Sequence, residues 1–385
     1  MNNLGIYVHW PFCIKKCPYC DFNSYQNQNH VPNDWLKAYT NQINFFNDFF
    51  NKNNINEKKL SSIFFGGGTP SLMEPVIIEK IIERAYKLFG FKENIEITLE
   101  ANPSSLEFKN IVDFKHSGVN RISLGVQALN DKDLNFLGRV HNFIDVEKTL
   151  NLVLKNFNNT SVDLIYGLPE QKLTSWEKQL NAFLKKFELQ HVSAYQLTIE
   201  KGTKFYDLYK KKKLNLLPNE KSIRFFNITK NLLSFNNFMQ YEISNYSKRN
   251  QQSIHNNLYW KSENWLGIGP GAVSRLWKNN CKRLEFENYK KPSSWLKNAL
   301  SKNQSFKNFY ELEKRILNDE ILMMGLRLND GIKIKKLQNN TFMSTNIFKK
   351  LLEKKIIHLN SNRLYVDEKH LIKLNVILEQ FMHSY

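Results

Sequence analysis

Leu4-Gly5-Ile6-Tyr7-Val8-His9, followed by Cys13-Ile14-Lys15-Lys16-Cys17-Pro18-Tyr19-Cys20, is the stretch that decides the fold. Leu4, Ile6 and Val8 alternate with Gly5, Tyr7 and His9, which predicts a first strand running into a cysteine loop of pattern C-x3-C-x2-C. Three thiolates so close in sequence can converge on one inorganic centre. A closed structural zinc site normally takes four protein ligands. Three is the count that leaves one iron of a [4Fe-4S] cluster without a side chain, since clusters normally take a Cys at every iron. Such an iron can bind a small molecule directly. Two other readings stand beside this one. Disulfides need pairs and an oxidising compartment, and zinc would need a fourth ligand such as His9.

Working outward, the strand–helix alternation repeats. Strands are expected at 62–65, 95–99, 121–126, 161–166 and 191–197 after the first at 4–9, with helices at about 33–50, 75–89, 105–116, 131–137, 144–156 and 174–187. Six strand–helix periods imply a parallel sheet with helices outside. Six fall short of the eight of a closed barrel, so the expected fold class is α/β, a partial (β/α)6 barrel. The motifs gather at one rim. The cysteine loop follows strand 1, Gly66-Gly67-Gly68-Thr69-Pro70 follows strand 2, Glu100 follows strand 3 and Gln127 follows strand 4. In parallel α/β folds the carboxyl ends of the strands form the site.

Three segments are expected: the barrel at 1–215, a barrel extension at 216–304, and a C-terminal α+β unit at 305–385. In the extension, Gly267-Ile268-Gly269-Pro270-Gly271 predicts tight turns or close backbone approach. In the last unit, helices at 309–326, 333–338 and 345–355 precede a hairpin at 356–366 around Asn360-Ser361-Asn362 and a final helix at 367–382. That order resembles a winged helix, read here as a lid or docking module rather than a DNA binder, because fold alone does not settle function.

The chain has 385 residues, 42% of them hydrophobic, and a net charge of +19. Lysines are scattered, the longest basic run being Lys210 to Lys213. This predicts a solvated basic surface and no nucleic-acid partner. No apolar run approaches the ~20 residues of a transmembrane helix. Met1-Asn2-Asn3-Leu4 lacks the features of a signal peptide, so a cytoplasmic location is expected.

The cysteine spacing, with Tyr19 before the last Cys, resembles the radical S-adenosylmethionine (SAM) family. The resemblance implies a [4Fe-4S] cluster on Cys13, Cys17 and Cys20 whose free iron chelates SAM, which a reduced cluster can split into methionine and a deoxyadenosyl radical. It implies that Gly67, Gly68 and Thr69 hold the SAM amino group, that Glu100 and Gln127 contact SAM, that Arg139 pairs with its carboxylate, and that Asp163 takes its ribose hydroxyls. Tyr7 and Tyr19 match further SAM-contact positions. Each residue also has a plainer reading. The glycines suit any close backbone approach, Glu100 a surface cap, Arg139 a helix-end cation, and the tyrosines simple packing. Asp163 sits inside an apolar strand and needs partners in any case.

Within that family the chain resembles oxygen-independent coproporphyrinogen III oxidase and its heme-chaperone relatives. The oxidase has a fourth Cys two residues after the third; here that residue is Phe22. The oxidase also has a long segment before its cluster, whereas twelve residues precede Cys13. His255-Asn256-Asn257-Leu258-Tyr259-Trp260 matches the H-N-x-x-Y-W pattern of the chaperone group, which implies His255 as a heme contact; a structural His in an aromatic-rich loop is the alternative. Ser253 and Val273 replace a Cys and a His that relatives carry. The lone Cys281 reads as structural. The implied activity is heme binding and transfer to an acceptor hemoprotein, with a membrane surface as one place for it. The rival is SAM-dependent oxidative decarboxylation in porphyrin biosynthesis.

Overall fold

The computed structural model describes residues 3–26, 31–55, 58–104, 110–279, 282–301, 306–338, 340–360 and 362–382. Six parallel strands come first: β1 (Leu4–Trp10), β2 (Leu60–Gly67), β3 (Phe91–Ala101), β4 (Arg121–Gln127), β5 (Asn159–Tyr166) and β6 (His191–Gln196). The helices between them are α1 (Pro32–Lys52), α2 (Pro75–Phe89), α3 (Ile111–His116), α4 (Asp131–Phe136), α5 (Phe143–Asn156) and α6 (Leu173–Lys186). The expected helix at 105–116 is seen from Ile111; its first residues lie outside the described ones.

The strands are two-faced. Ile6, Val8, Ile63, Phe65, Ile97, Leu99, Ile122, Leu124, Val162 and Leu164 point outward into one apolar core. There they meet the helices, as α1 shows: Trp35, Ala38, Tyr39, Gln42, Ile43, Phe46 and Phe50 are buried, at the three-to-four spacing of one helix face. Burying an Ile or Phe in this way is worth ~1.5–3 kcal/mol. The inward face is polar, carrying Ser62, Glu96, Glu100, Arg121, Ser123, Asp163, His191 and Ser193 among others. Period-two alternation therefore sorts these strands into a dry outside and a polar interior.

The barrel stays open, because β1 does not meet β6. After α7 (Lys204–Lys210) and α8 (Asn219–Phe235) come short strands β7 (Met239–Gln240) and β8 (Asn245–Ser247); β8 adds antiparallel to β6, and β7 antiparallel to β8. Helix α9 (Ile254–Trp260) then leads to β9 (Asn264–Ile268), which pairs parallel with the free side of β1. The parallel run thus has a seventh strand that the alternation did not reveal. Beyond it come antiparallel β10 (Val273–Asn279), β11 (Lys282–Asn288), helix α10 (Pro292–Leu300) and β12 (Phe306–Glu311). The twelve strands lie in the order β12-β11-β10-β9-β1-β2-β3-β4-β5-β6-β8-β7. Cys281 lies outside the described residues.

Residues 306–311, partly expected as helix, are an edge strand of this large sheet. Phe306 and Phe309 pack on Phe286, with Phe309 stacked at 4.5 Å between ring centres, and this packing outweighs the short local pattern. Helix α11 (Lys314–Gly325) starts only after it. Then follow β13 (Ile332–Lys333), α12 (Asn346–Glu353), β14 (Ile357–Leu359), β15 (Arg363–Val366) and α13 (Leu374–Met382), with the sheet order β13-β15-β14. The expected hairpin at 356–366 corresponds to β14 and β15, though Ser361 at its tip is not among the described residues. Residue 334–336 is one 3-10 turn in place of a helix. This unit has its own core, including Leu317, Ile321, Phe348, Leu364 and Leu374. Arg327 ties it to the barrel, 3.0 Å from the Glu242 carboxylate and 4.8 Å above the Trp260 ring. No helix among the described residues is long and apolar enough to cross a membrane.

Candidate functional site

A cavity of about 760 Å³ opens at the carboxyl ends of the barrel strands. Cys13, Cys17 and Cys20 line it, with Gly67, Gly68, Thr69, Glu100, Gln127, Arg139 and Asp163 on the facing walls. Leu371, Ile372, Leu374 and Asn375 of the C-terminal unit reach its rim.

Local geometry fixes the cysteine loop from three sides. The N–H groups of Gly68 and Thr69 donate to the carbonyls of Trp10 and Phe12 at 2.6 and 2.9 Å. A Cβ on Gly68 would lie 2.6 Å from the Phe12 carbonyl oxygen. The glycine motif is thus required by the chain's own backbone, one strand away, and not only by a ligand. The second side is the turn in which Cys20 N–H donates to the Cys17 carbonyl at 3.2 Å. The third is Gly138, at φ +70°, where a Cβ would sit 2.6 Å from Pro18 Cδ. That close approach brings Arg139 onto the loop. Its Nη1 donates to Cys17 Sγ at 3.3 Å and its Nη2 to Asn102 Oδ1. Its Nε is buried without a hydrogen-bond partner. Tyr19 packs beside Phe205 on the same loop. Burial raises the Cys13 and Cys20 thiols above their usual range, so a bound cation would be needed to hold both as thiolates.

The carboxyl groups are also displaced. Burial, then the neighbouring Asp163, pushes Glu100 up to about 8, against the pull of the Gly67 N–H, which donates to its Oε2 at 3.1 Å. Burial raises Asp163 as well, offset by hydroxyls: Ser123 Oγ donates to it at 3.0 Å. Gln127 ends β4 at φ +66°, a left-handed conformation uncommon outside glycine and found at functional sites.

A second, inner chamber of about 200 Å³ lies deeper in the barrel. Glu100, Ser123, Asp163 and Tyr195 face both spaces. Tyr7 and His255 line only the inner one. Tyr7 OH donates to His9 Nδ1 at 3.0 Å, and His9 Nε2 donates to the Asn23 carbonyl at 3.0 Å. His9 therefore has no ring nitrogen left for the cysteines, which removes it as a zinc ligand. His255 is 1% exposed, on helix α9 rather than in a loop. Its Nδ1 is 2.8 Å from Ser62 Oγ and its Nε2 2.8 Å from Tyr259 OH, and its ring stacks on Phe64. Burial lowers it to about 3, so it is neutral. Its chamber is smaller than the roughly 300–1,000 Å³ of pockets for drug-sized ligands. His255, expected as a heme contact, has both ring nitrogens hydrogen-bonded in this structure. Ser253, where relatives carry Cys, caps α9 by accepting from Asn256 N–H at 3.2 Å.

Sequence reasoning missed Asn102 and Arg121. Asn102 lines the cavity and orients Arg139; Arg121 lies on the inner chamber. Both follow from polar residues recurring every second position on adjacent strands.

The sequence profile of the radical SAM superfamily matches residues 7–181. A heme chaperone, HemW of Haemophilus influenzae, is 34% identical over 391 residues that cover 98% of each chain. The chain belongs to the radical-SAM family that includes the heme chaperone HemW. A mitochondrial radical S-adenosyl methionine domain-containing protein 1 of Dictyostelium discoideum is 38% identical over 365 residues, 86% of this chain and 82% of that protein. The fold matches the solved coproporphyrinogen III oxidase (HemN) of Escherichia coli with a TM-score of 0.79, at 18% identity and over 99% of this chain and 90% of that one.

A radical-SAM protein implies a [4Fe-4S] cluster and SAM, and the residues present fit them. No three His, Cys, Asp or Glu side chains among the described residues are grouped to hold a metal ion. The cysteines instead share the wall of the large cavity. That suits a polynuclear cluster, in which each thiolate takes its own iron, better than zinc, whose ligands all lie within ~2.3 Å of one ion. Arg139, whose Nη1 donates to Cys17 Sγ on the same wall, is a cation suited to an anionic group there.

Proposed function

We propose that this radical-SAM protein is a heme chaperone, which binds heme, holds a SAM-ligated [4Fe-4S] cluster and passes the heme to an acceptor hemoprotein in the cytoplasm. The observation that carries the reading is the end-to-end likeness to a heme chaperone at 34% identity. Phe22, 58% exposed where the oxidase pattern has a fourth Cys, agrees with it.

Cys13, Cys17 and Cys20 would hold the cluster. When bound, it provides a one-electron reducing centre with an open iron for SAM. The chain's own part is to position and shield. Arg139 offers a fork to the SAM carboxylate, Glu100 and the Gly67-Gly68-Thr69 turn face its amino end, Asp163 its ribose, and Gln127 and Tyr19 the remaining wall. Tyr7, one chamber deeper, acts through His9 and not by contact. The C-terminal unit from Leu312 onward serves as a lid or docking module.

The test is heme uptake. Anaerobically reconstituted protein titrated with hemin should develop a Soret band, then lose it to an added apo-hemoprotein. Absence of uptake contradicts the chaperone reading. The alternative, coproporphyrinogen III oxidase, has the shared fold in its favour. Anaerobic turnover of coproporphyrinogen III with SAM, giving protoporphyrinogen, would replace the chaperone by the enzyme.

A further inference from the structure

The inner face of the barrel carries more carboxyl groups than cations. Glu96, Glu100 and Asp163 project from β3 and β5, and the single cation lining the inner chamber, among the described residues, is Arg121 at the start of β4. Arg121 is 2% exposed. Its Nε stands 3.7 Å from Glu96 Oε2 and makes no hydrogen bond; its Nη1 donates to Thr98 Oγ1 at 3.4 Å.

Glu96 is a shared counter-ion. Its Oε1 accepts from Ser253 Oγ at 3.3 Å and from the His255 N–H at 2.9 Å, and its Oε2 accepts from the Ile254 N–H at 2.9 Å. Its charge is spread over the start of α9, so Arg121 is left partly uncompensated. A buried cation in that state is stabilised by further negative charge. Two carboxyl groups face the same chamber, Glu100 and Asp163. No other group facing it competes. Burial keeps His255 and the nearby His191 neutral and the Tyr7, Tyr195 and Tyr259 phenols protonated.

We propose that Arg121 is a positioning residue for SAM: from the floor of the barrel it acts as the buried countercharge to Glu100 and Asp163, the two carboxyl side chains that face both chambers. The proposal rests on the SAM reading of the upper cavity. Three carboxyl groups and one guanidinium cannot all be ionised without a deficit of positive charge. A ligand bringing a sulfonium offsets part of that deficit from above, while Arg121 offsets it from below. Arg121 itself touches no ligand, since it does not line the upper cavity.

The experiment is calorimetric titration of SAM into anaerobically reconstituted protein between pH 6.5 and 9.5, with iron and sulfide content measured for each variant. Arg121→Met should keep its cluster, bind SAM roughly tenfold or more weakly at pH 7, and recover only at a pH about one unit above that of the wild type, since one pKa unit is a factor of ten. Arg121→Lys should keep the wild-type pH midpoint. Should Arg121→Met not fold, Arg121→Gln, which retains donors for Glu96 and Thr98, gives the same displaced profile. An unchanged midpoint in the neutral variant overturns the role of Arg121. A wild type that binds no SAM at any pH defeats instead the SAM reading beneath it.

Discussion

The upper cavity is walled by sulfur, glycine backbone and Arg139; the smaller inner chamber is walled by hydroxyls, Arg121 and a doubly bonded histidine. Both are made by the same inward faces of the same strands. Position along the strand separates them. On β3, Glu100 reaches the mouth, while Glu96, four residues earlier, is locked to α9. On β6, Tyr195 faces both spaces, while His191, deeper, is held between Ser161 Oγ at 2.7 Å and Tyr241 OH at 2.8 Å. The lesson is that polar residues near the carboxyl ends face the cavity where a ligand would sit, whereas most of those below are bonded to each other, Arg121 Nε being an exception.

The contrast breaks most visibly at Cys17. Cys17→Ala removes a wall residue of the upper cavity and nothing from the floor. Iron incorporation and the visible absorption of the reconstituted cluster should be lost almost completely, while the thermal unfolding midpoint of the metal-free protein stays within a few degrees of wild type. A variant that still assembles a full cluster would show that the three cysteines are not its ligands.

His255 sharpens the contrast from the other side. His255→Ala leaves Ser62 and Tyr259 without partners and opens a void beneath Phe64, costing roughly 2–5 kcal/mol of stability by denaturant titration. His255→Gln can still bond to both and should cost less, with heme uptake retained in the Soret band. A stable His255→Gln that takes up no heme would return His255 to the role its sequence pattern implies.

A smaller effect concerns pH. Glu100 sits at about 8 without ligand and must lose its proton to face a cationic group. Binding of SAM is then linked to proton release, so affinity should rise with pH. Between pH 7 and 9 the gain should be roughly tenfold, at ~1.4 kcal/mol per unit below the folded pKa. A flat profile would mean that Glu100 stays away from the positive end of SAM. The affinity of Glu100→Gln should be independent of pH across that range, so its loss relative to the wild type should grow as the pH rises.

Much of this was legible before the structure. The strand–helix alternation gives the six parallel units, and the motifs at successive strand ends locate the mouth, because parallel topology brings those ends together. What escaped did so for physical reasons. Strand β9 joins the sheet from far along the chain, next to the strand at 4–10, and no local pattern encodes that pairing. Helix α9 has seven residues, two turns, too few for a helical period to show, and its start is fixed by Glu96, more than 150 residues earlier in the chain. At 306–311 aromatic residues fit either period, and packing on Phe286 decides. Arg121 was visible as a charge in a strand, but its role needs the neighbouring strands in register.

The most direct test of the account is the paramagnetic resonance of the reduced, reconstituted protein before and after SAM is added. The account predicts one [4Fe-4S] signal that changes shape on adding SAM, and that no longer responds once Arg139 and Glu100 are both neutralised. A signal indifferent to SAM in the wild type, or no iron–sulfur signal at all, would contradict the claim that three cysteines leave one iron open to that ligand.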